Sequence, residues 1–270
     1  MRIKMFLCLV LCFSIIAFTP AFANIAIDKF YIDFDAASNK RVVSIKVTNT
    51  TSEKQTYRAH FINYKQNPDG SLEEITKENE DPKAPFADPY LTVSPRQFTI
   101  EPGIMQTVNV GRKPMPNAPD GEYVSYLMIR EITPPTPVEQ TQASDKEFGI
   151  NIKALYATAI PVLLVKGQFT SATAISQIEG AGSSKDGKNA LIAVTLGREG
   201  TRSSYGSIQV MDDSDVVGEI KNLRVFLSTK SRRVVIQLKK SESELKGKKL
   251  KVIFKDGRTE KTITEEKVAF

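Results

Sequence analysis

The residue types that most often carry chemistry are scarce in this chain and are not grouped. His60 is the single histidine, and it follows Arg58 and Ala59 in a strand-like run, which favours a structural or surface role. The sequence has no nucleophile elbow, no phosphate-binding glycine loop and no paired metal ligands. The acidic pairs Glu73-Glu74 and Asp212-Asp213 lie in turn-like contexts typical of solvated carboxylates. We therefore predict no enzyme activity and no cofactor.

A different kind of chemistry, strand pairing with side-chain insertion, is indicated between Leu91 and Val165. This stretch predicts three β-strands, and the last begins after a loop-like, proline-containing gap from Pro134 to Lys146. In that last strand every second residue is apolar, namely Phe148, Ile150, Ile152, Ala154 and Tyr156. An extended chain sends alternate side chains to one side, so this row could cover another protein's core. Packing into its own domain is the ordinary alternative.

The first residues predict export. Arg2 and Lys4 precede an apolar run from Met5 to Phe18, and Ala21-Phe22-Ala23 supplies the small residues of a signal-peptidase site. We expect residues 1–23 to be removed and the mature protein to be exported. We expect no membrane insertion, because the apolar run is short for a permanent span and no second run approaches the required length.

The mature chain is predicted to contain no thiol. Both cysteines, Cys8 and Cys12, fall in the removed segment, so neither a disulfide nor a thiolate metal site is expected. A lipid-anchored Cys12 is disfavoured by the bulky Leu11 before it. Loss of Arg2 and Lys4 lowers the formal net charge from +6 to about +4, with the signs mixed along the chain. The basic runs lack interleaved aromatic residues, so we expect no nucleic-acid partner.

The remaining segments have a period of two and are separated by turn-forming residues. Such alternation runs from Val42 to Thr48 and from Tyr123 to Ile129, and Asp256-Gly257 is a hairpin signal. The pattern predicts an all-β protein of two β-sandwiches, divided into residues 24–165 and 166–270. One helical turn is expected around residues 71–80.

Several motifs resemble, in order and spacing, those of the periplasmic pilus-assembly chaperones of the chaperone–usher pathway, the PapD-like family. The similar segments are Ile25-Ala-Ile-Asp28, Val93-Ser-Pro95 with Phe98, Ile100-Glu-Pro-Gly103, Gln106-Thr-Val108, Asp120-Gly-Glu122, Arg130-Glu-Ile-Thr-Pro-Pro135 and Gly200-Thr-Arg-Ser-Ser-Tyr-Gly206. The match covers essentially the whole mature chain and is strongest in its first domain.

The resemblance implies two immunoglobulin-like domains set at an angle, with a cleft between them. It also implies a function: a chaperone that stabilises pilin-like subunits by donor-strand complementation and delivers them to an outer-membrane usher. The donor strand would present Phe148, Ile150, Ile152, Ala154 and Tyr156. A free donor edge of this kind could also self-associate when no subunit is bound.

The chain departs from the family at the cleft. Members of the family hold the subunit's terminal carboxylate with an arginine and a lysine, but Tyr31 and Pro161 occupy those positions here. The basic residues nearest by strand position are Lys29, Arg130 and Lys153, which are therefore the candidate anchors.

Two other functions compete with this interpretation. The first is a two-domain β-sandwich that serves as a structural or adhesive surface protein. Only a short segment would precede Ile25 in the mature chain, which disfavours a subunit that polymerises through an N-terminal extension. The second is a sugar-active enzyme, because acidic pairs need only converge in three dimensions.

Overall fold

The computed structural model describes residues 24–76, 84–132 and 155–269, so the expected signal peptide lies outside the described residues. The first unit consists almost entirely of strands, joined by turns and one short 3-10 segment at Asp88–Tyr90. Its strands are β1 (Ile25–Ile27), β2 (Ile32–Asp35), β3 (Val42–Asn49), β4 (Gln55–Ile62), β5 (Tyr64–Gln66), β6 (Leu72–Glu74), β7 (Leu91–Ser94), β8 (Gln97–Ile100), β9 (Met105–Arg112), β10 (Gly121–Ile132) and β11 (Ala157–Lys166).

The second unit is also built from strands. These are β12 (Ser171–Ser183), β13 (Ala190–Gly200), β14 (Ser204–Asp212), β15 (Asp215–Val225), β16 (Ser231–Gln237), β17 (Lys249–Asp256) and β18 (Thr262–Ala269). A single-turn helix, α1 (Glu242–Leu245), precedes β17 and begins with a capping box between Ser241 and Glu244. The all-β, two-sandwich prediction is confirmed by these elements.

Two sheets form the first sandwich, in the orders β1-β3-β9-β7 and β2-β11-β10-β4-β8. The first two strands belong to different sheets: β1 pairs antiparallel with β3, whereas β2 pairs parallel with β11. The alternating pattern explains the core: Val43, Ile45 and Val47 of β3 are buried, and the residues between them are exposed or less buried. They pack with residues of the facing sheet such as Leu127 and Leu164.

The second sandwich pairs the sheets β12-β13-β16 and β15-β14-β17-β18. Its core contains Ile192, Leu196, Ile208, Ile236 and Phe254, all of which are at most 1% exposed. The predicted hairpin signal is confirmed, since β17 and β18 pair antiparallel around a turn at residues 257–259.

The helical turn expected around residues 71–80 is wrong for the part that is described. Residues 64–74 form a hairpin in which β5 and β6 pair antiparallel. The turn closes through a hydrogen bond from the Asn67 N–H to the Ser71 carbonyl (2.9 Å), and Gly70 adopts a φ of +89°. A proline followed by aspartate and glycine favours such a turn over a helix, because glycine tolerates positive φ.

The chain passes from one sandwich to the other over residues 167–170. Gly167 has a φ of +59°, and a Cβ at this position would overlap the carboxylate of Asp120. That carboxylate accepts a hydrogen bond from the Gln168 N–H (3.0 Å). The connection is therefore anchored at its first turn to the first sandwich.

Candidate functional site

The predicted donor row can be followed only at its end. Phe148, Ile150, Ile152 and Ala154 lie outside the described residues, as does the candidate anchor Lys153. Tyr156 lies directly before β11, and its side chain is 49% exposed. Its carbonyl accepts a hydrogen bond from the Glu131 N–H (3.0 Å), which continues the pairing of β10 with β11 by one residue.

Strand β11 has one edge that is covered over only half of its length. On one side β10 pairs with all of it, from Ala157 to Lys166. On the other side β2 pairs with Val162–Val165 alone. Among residues 24–76, 84–132 and 155–269, no strand pairs with this edge between residues 157 and 161. An open backbone edge is a template for another extended chain.

Side chains along β11 continue the alternation of the predicted row. Ile160, Val162 and Leu164 are buried in the first core. Because side chains in a strand alternate with a period of two, Tyr156 and the even-numbered residues of the row have the same parity as these three. The opposite face of β11 carries Ala159 and Leu163, which contact a different apolar cluster.

The structure does not bring the other two candidate anchors together. The ammonium group of Lys29 lies 3.1 Å from the carboxylate of its neighbour Asp28. Arg130 is exposed on β10, directly opposite Arg58 of β4 and Ala157 of β11. Arg130 lies four positions along the strand, roughly 13 Å, from Tyr126, a β10 residue that packs against the second sandwich.

The seam between the sandwiches contains a small apolar cluster of its own. Tyr126 and Leu163 of the first sandwich pack with Phe226, which follows β15 in the second. The rings of Tyr126 and Phe226 lie 5.8 Å apart in an edge-on arrangement, and Tyr64 stacks edge-on against Tyr126 at 5.0 Å. Such aromatic contacts favour a defined geometry between the two units.

A buried carboxylate of the first sandwich forms hydrogen bonds with the second. Glu122 is 1% exposed and accepts hydrogen bonds from the backbone N–H (3.2 Å) and the hydroxyl of Ser203. The Glu122 N–H donates to the carbonyl of Thr201 (2.9 Å), and the Arg202 guanidinium lies 3.8 Å from the carboxylate. The first sandwich is thus held to the loop between β13 and β14.

Arg224 is the most unusual side chain at the seam. It is 7% exposed, and its guanidinium lies 4.5 Å from the ring centre of Tyr205, 5.6 Å from that of Tyr31 and 5.8 Å from that of Phe226. The Tyr31 and Tyr205 rings approach each other to 6.2 Å across the two sandwiches. We call Arg224 and these three aromatic residues the arginine site.

The charge of the arginine site is incompletely compensated. The buried Nη1 of Arg224 has no hydrogen-bond partner among the described residues. Burial lowers the pKa of its guanidinium, while the charges of Glu122 and Asp33 act in the opposite direction. An arginine remains charged at neutral pH in spite of such a shift, so the site holds a desolvated cation with a free donor. A carboxylate is the group that such a donor binds best.

The chain is similar to solved chaperones. The YadV chaperone is 11% identical and aligns with 92% of this chain and 100% of its own length, at a TM-score of 0.43. The CupB2 chaperone of Pseudomonas aeruginosa is 12% identical over 91% of this chain and 100% of its own, at 0.43. A chain in the CsuC–CsuE chaperone–tip adhesion subunit complex of Acinetobacter baumannii is 12% identical over 91% of this chain and 97% of its own length, at a TM-score of 0.44. No family model and no curated protein sequence matches the chain.

No three histidine, cysteine, aspartate or glutamate side chains in the described ranges are placed to hold a metal ion. In the same ranges, no helix is long and apolar enough to cross a membrane.

Sequence reasoning missed the arginine site, although it identified Tyr31 as a neighbour of the cleft. The available signal was the single charge in Leu223-Arg-Val-Phe226, an otherwise apolar end of a strand. A single arginine flanked by buried residues needs a charged or hydrogen-bonding partner, because burying an unpaired charge is costly. The resemblance implies cleft cations only on strands of the first domain, so it gives no reason to expect one from the second.

Proposed function

We propose that this protein is a non-enzymatic periplasmic chaperone that stabilises pilus or fimbrial subunits by donor-strand complementation and delivers them to an outer-membrane usher. The observation that carries the proposal is the half-covered edge of β11, where residues 157–161 have no strand partner in the described part of the chain. The predicted donor row leads directly into this edge. Residues 24–165 would form the subunit-binding domain and residues 166–270 the second.

The binding chemistry would be strand addition. A subunit that lacks its last strand exposes an apolar groove, and the chaperone's edge supplies the missing backbone hydrogen bonds. Phe148, Ile150, Ile152, Ala154 and Tyr156 would fill the groove. Each large apolar side chain contributes about 1.5–3 kcal/mol when fully buried, so a few anchors hold a subunit firmly after the cost of ordering the chain.

Arg224 would anchor the subunit's terminal carboxylate. Tyr31 occupies the position where the chaperone family that the motifs resemble has its cleft arginine, and the guanidinium of Arg224 lies 5.6 Å from the centre of the Tyr31 ring. The unpartnered Nη1 supports this role, and because that atom is buried the carboxylate would reach it only after neighbouring side chains move aside. Arg224 of the second sandwich would then replace the cation that the first sandwich lacks at Tyr31. Lys29, which pairs with Asp28, and Arg130, which lies opposite Arg58, are less suitably placed for this role.

Co-expression with a small secreted subunit encoded beside this protein tests the proposal. Ile152→Asp and Tyr156→Asp each put a charge into the row, so either variant should fail to recover the subunit when the chaperone is purified. Ile263→Asp is the matched control, because Ile263 is a 48% exposed residue of β18 in the second sandwich. Normal recovery with both row variants would refute the proposed donor strand.

The competing structural function gives a different result. A surface component should form long polymers of this chain alone in analytical ultracentrifugation. The chaperone should instead sediment as a monomer or a small oligomer, and any oligomer formed through the free β11 edge should dissociate when a subunit binds.

A further inference from the structure

The β5–β6 hairpin stands apart from both large sheets of the first sandwich. Its two strands pair only with each other within the described residues. An isolated two-stranded hairpin is marginally stable in water, so its order must come from contacts with other parts of the molecule. The Tyr64 ring contacts Tyr126 of the first sandwich, and the other end of β5 forms hydrogen bonds to the second sandwich.

Gln66, the last residue of β5, makes the central contact. It is 2% exposed, although glutamine is normally a surface residue. Its side-chain oxygen accepts a hydrogen bond from the Phe226 N–H (3.0 Å), and its side-chain nitrogen donates to the Arg224 carbonyl (3.3 Å). The amide therefore pairs with the end of β15 as the backbone of a neighbouring strand would, because it offers the same donor and acceptor as a peptide group.

Two further hydrogen bonds, each donated by a backbone N–H, extend this pairing. The Gln66 N–H donates to the hydroxyl of Ser228 (2.9 Å), and the Arg233 N–H donates to the carbonyl of Pro68 in the hairpin turn (2.6 Å). Strand β15 is at the edge of its sheet, so the hairpin caps groups that no other strand of the described chain pairs with. We call these four hydrogen bonds the strap.

The strap acts on the residues that form the arginine site. The backbone groups that Gln66 holds belong to Arg224 and Phe226, whose side chains contact Tyr31 and Tyr126 of the first sandwich. The Arg224 carbonyl also accepts a hydrogen bond from the Arg232 guanidinium (2.8 Å), so its position is fixed from two directions. A shift of the strap would move Arg224 relative to Tyr31.

The seam has a second attachment, between Glu122 and Ser203, close to the covalent connection at residues 167–170. Attachments near a connection leave the two units free to rotate about that region. A further attachment elsewhere on the interface removes this freedom. The strap is such an attachment, since it joins the β5–β6 hairpin to residues 224–233.

We propose that Gln66 is a positioning residue whose buried amide fixes the angle between the two sandwiches and thereby places Arg224 against Tyr31. The effect on the angle is independent of the chaperone function. Only its consequence for subunit binding rests on the proposed function.

Distance measurement between two spin labels tests the proposal. A protein expressed from residue 24 contains no cysteine, so Ser52→Cys in the first sandwich and Lys185→Cys in the second give two unique, exposed labelling sites. Pulsed electron–electron double resonance should give one narrow distance peak for the otherwise unchanged protein. Gln66→Met keeps the side-chain length but removes both amide hydrogen bonds, and it should replace the narrow peak with a broad distribution.

Two further variants make the result decisive. Gln97→Ala is the matched control, because the Gln97 side chain is exposed and accepts its hydrogen bond from Arg58 within the first sandwich, and it should leave the narrow peak unchanged. If Gln66→Met does not fold, Ser228→Ala removes one strap hydrogen bond at an exposed residue and should broaden the peak to a smaller extent. The proposal is overturned if a folded Gln66→Met variant gives a narrow peak at the original distance. If that variant does not fold, the same result with Ser228→Ala overturns it. Failure to find any subunit would leave this result intact.

Discussion

The buried carboxylate of Glu122 and the hydroxyl of Ser203 form a hydrogen bond that joins the two sandwiches. Both residues are at most 1% exposed, and the carboxylate also accepts from the Ser203 N–H. Both hydrogen bonds end on Oε1 of Glu122, whereas its buried Oε2 has no hydrogen-bond partner among the described residues. Loss of either one leaves a buried polar group without a partner, which costs more than the hydrogen bond itself contributes.

Glu122→Ala should lower the free energy of unfolding by roughly 1–3 kcal/mol, because it leaves the buried Ser203 N–H without an acceptor and removes the counter-charge of Arg202. Glu122→Gln should cost less, since an amide oxygen can still accept from Ser203. Urea unfolding measures both. Glu101→Ala is the control, because its ion pair with Lys54 is exposed and should contribute less than about 1 kcal/mol. An equal effect of Glu101→Ala and Glu122→Ala would contradict this explanation.

The stability of the first sandwich should fall as the pH drops below about 6.5 because of His60. Burial lowers the pKa of His60, the positive charges of Arg130 and Arg58 lower it further, and Glu74 opposes them. Below the ordinary pKa of 6.5 the unfolded chain therefore binds more protons than the folded one, so unfolding becomes easier as the pH falls. The buried Nδ1 of His60, which has no hydrogen-bond partner among the described residues, agrees with a neutral ring.

His60→Gln should remove this part of the pH dependence. The measurement is the urea midpoint at about pH 7.5 and about pH 5.5, on either side of the ordinary histidine pKa, for both proteins. The variant should lose less stability between the two values than the wild type. Because His60 is the only histidine, parallel losses in the two proteins would mean that its pKa is not lowered.

Strand alternation made most of the fold predictable. The patterns from Val42 to Thr48 and from Tyr123 to Ile129 became β3 and β10, since each has one face buried in the first core. Only the turn of the β5–β6 hairpin has a local signal, in Asn67–Gly70, because the order of its strands depends on distant contacts, among them hydrogen bonds to Arg224 and Phe226. The sequence of a segment contains no record of such distant partners.

The candidate site was predicted less well for a similar reason. The open edge of β11 follows from where β2 ends its pairing, at residues 162–165, and register between distant strands cannot be derived from periodicity alone. Arg224 is a functional candidate only because the fold brings it to Tyr31. The alternating row from Phe148 to Tyr156 was visible because it depends on local spacing. Its role stays a prediction.

Gly206→Ala should destabilise the second sandwich by about 1–3 kcal/mol, because an added methyl group has no space in this strand. Gly206 lies in β14 between β15 and β17. A Cβ there would overlap the carbonyl oxygen of Lys255 and lie 2.8 Å from the Phe254 ring. Thermal unfolding measures the loss. Gly180→Ala in β12 is the control, since no atom lies within 4 Å of its added Cβ. Similar melting temperatures for the two variants would show that β14 can move aside.

The mature protein should begin at Asn24. Export through the signal peptide would remove residues 1–23 after Ala21-Phe22-Ala23. Intact-mass spectrometry of the protein released from the periplasm should therefore give a chain without cysteine. A mass that includes Cys12 together with an attached lipid would indicate a membrane-anchored protein and would contradict this prediction.

Arg224→Met should separate stability from function. Methionine fills a similar volume and needs no counter-charge, so we expect the free energy of unfolding to stay equal or rise by about 1 kcal/mol. The same variant should no longer recover the subunit in co-expression, because the cation that binds its carboxylate is gone. Arg224→Lys keeps the charge but not the planar fork of donors, and it should recover an intermediate amount.

Arg233→Met is the control for this last prediction. The Arg233 guanidinium pairs with Glu179 at 2.7 Å on the surface, where both side chains are more than 40% exposed, so its replacement should change neither stability nor recovery appreciably. Full recovery of the subunit by Arg224→Met would remove Arg224 as the carboxylate anchor. A large loss of stability would instead mean that its contacts with Tyr31, Tyr205 and Phe226 compensate the buried charge within the protein itself.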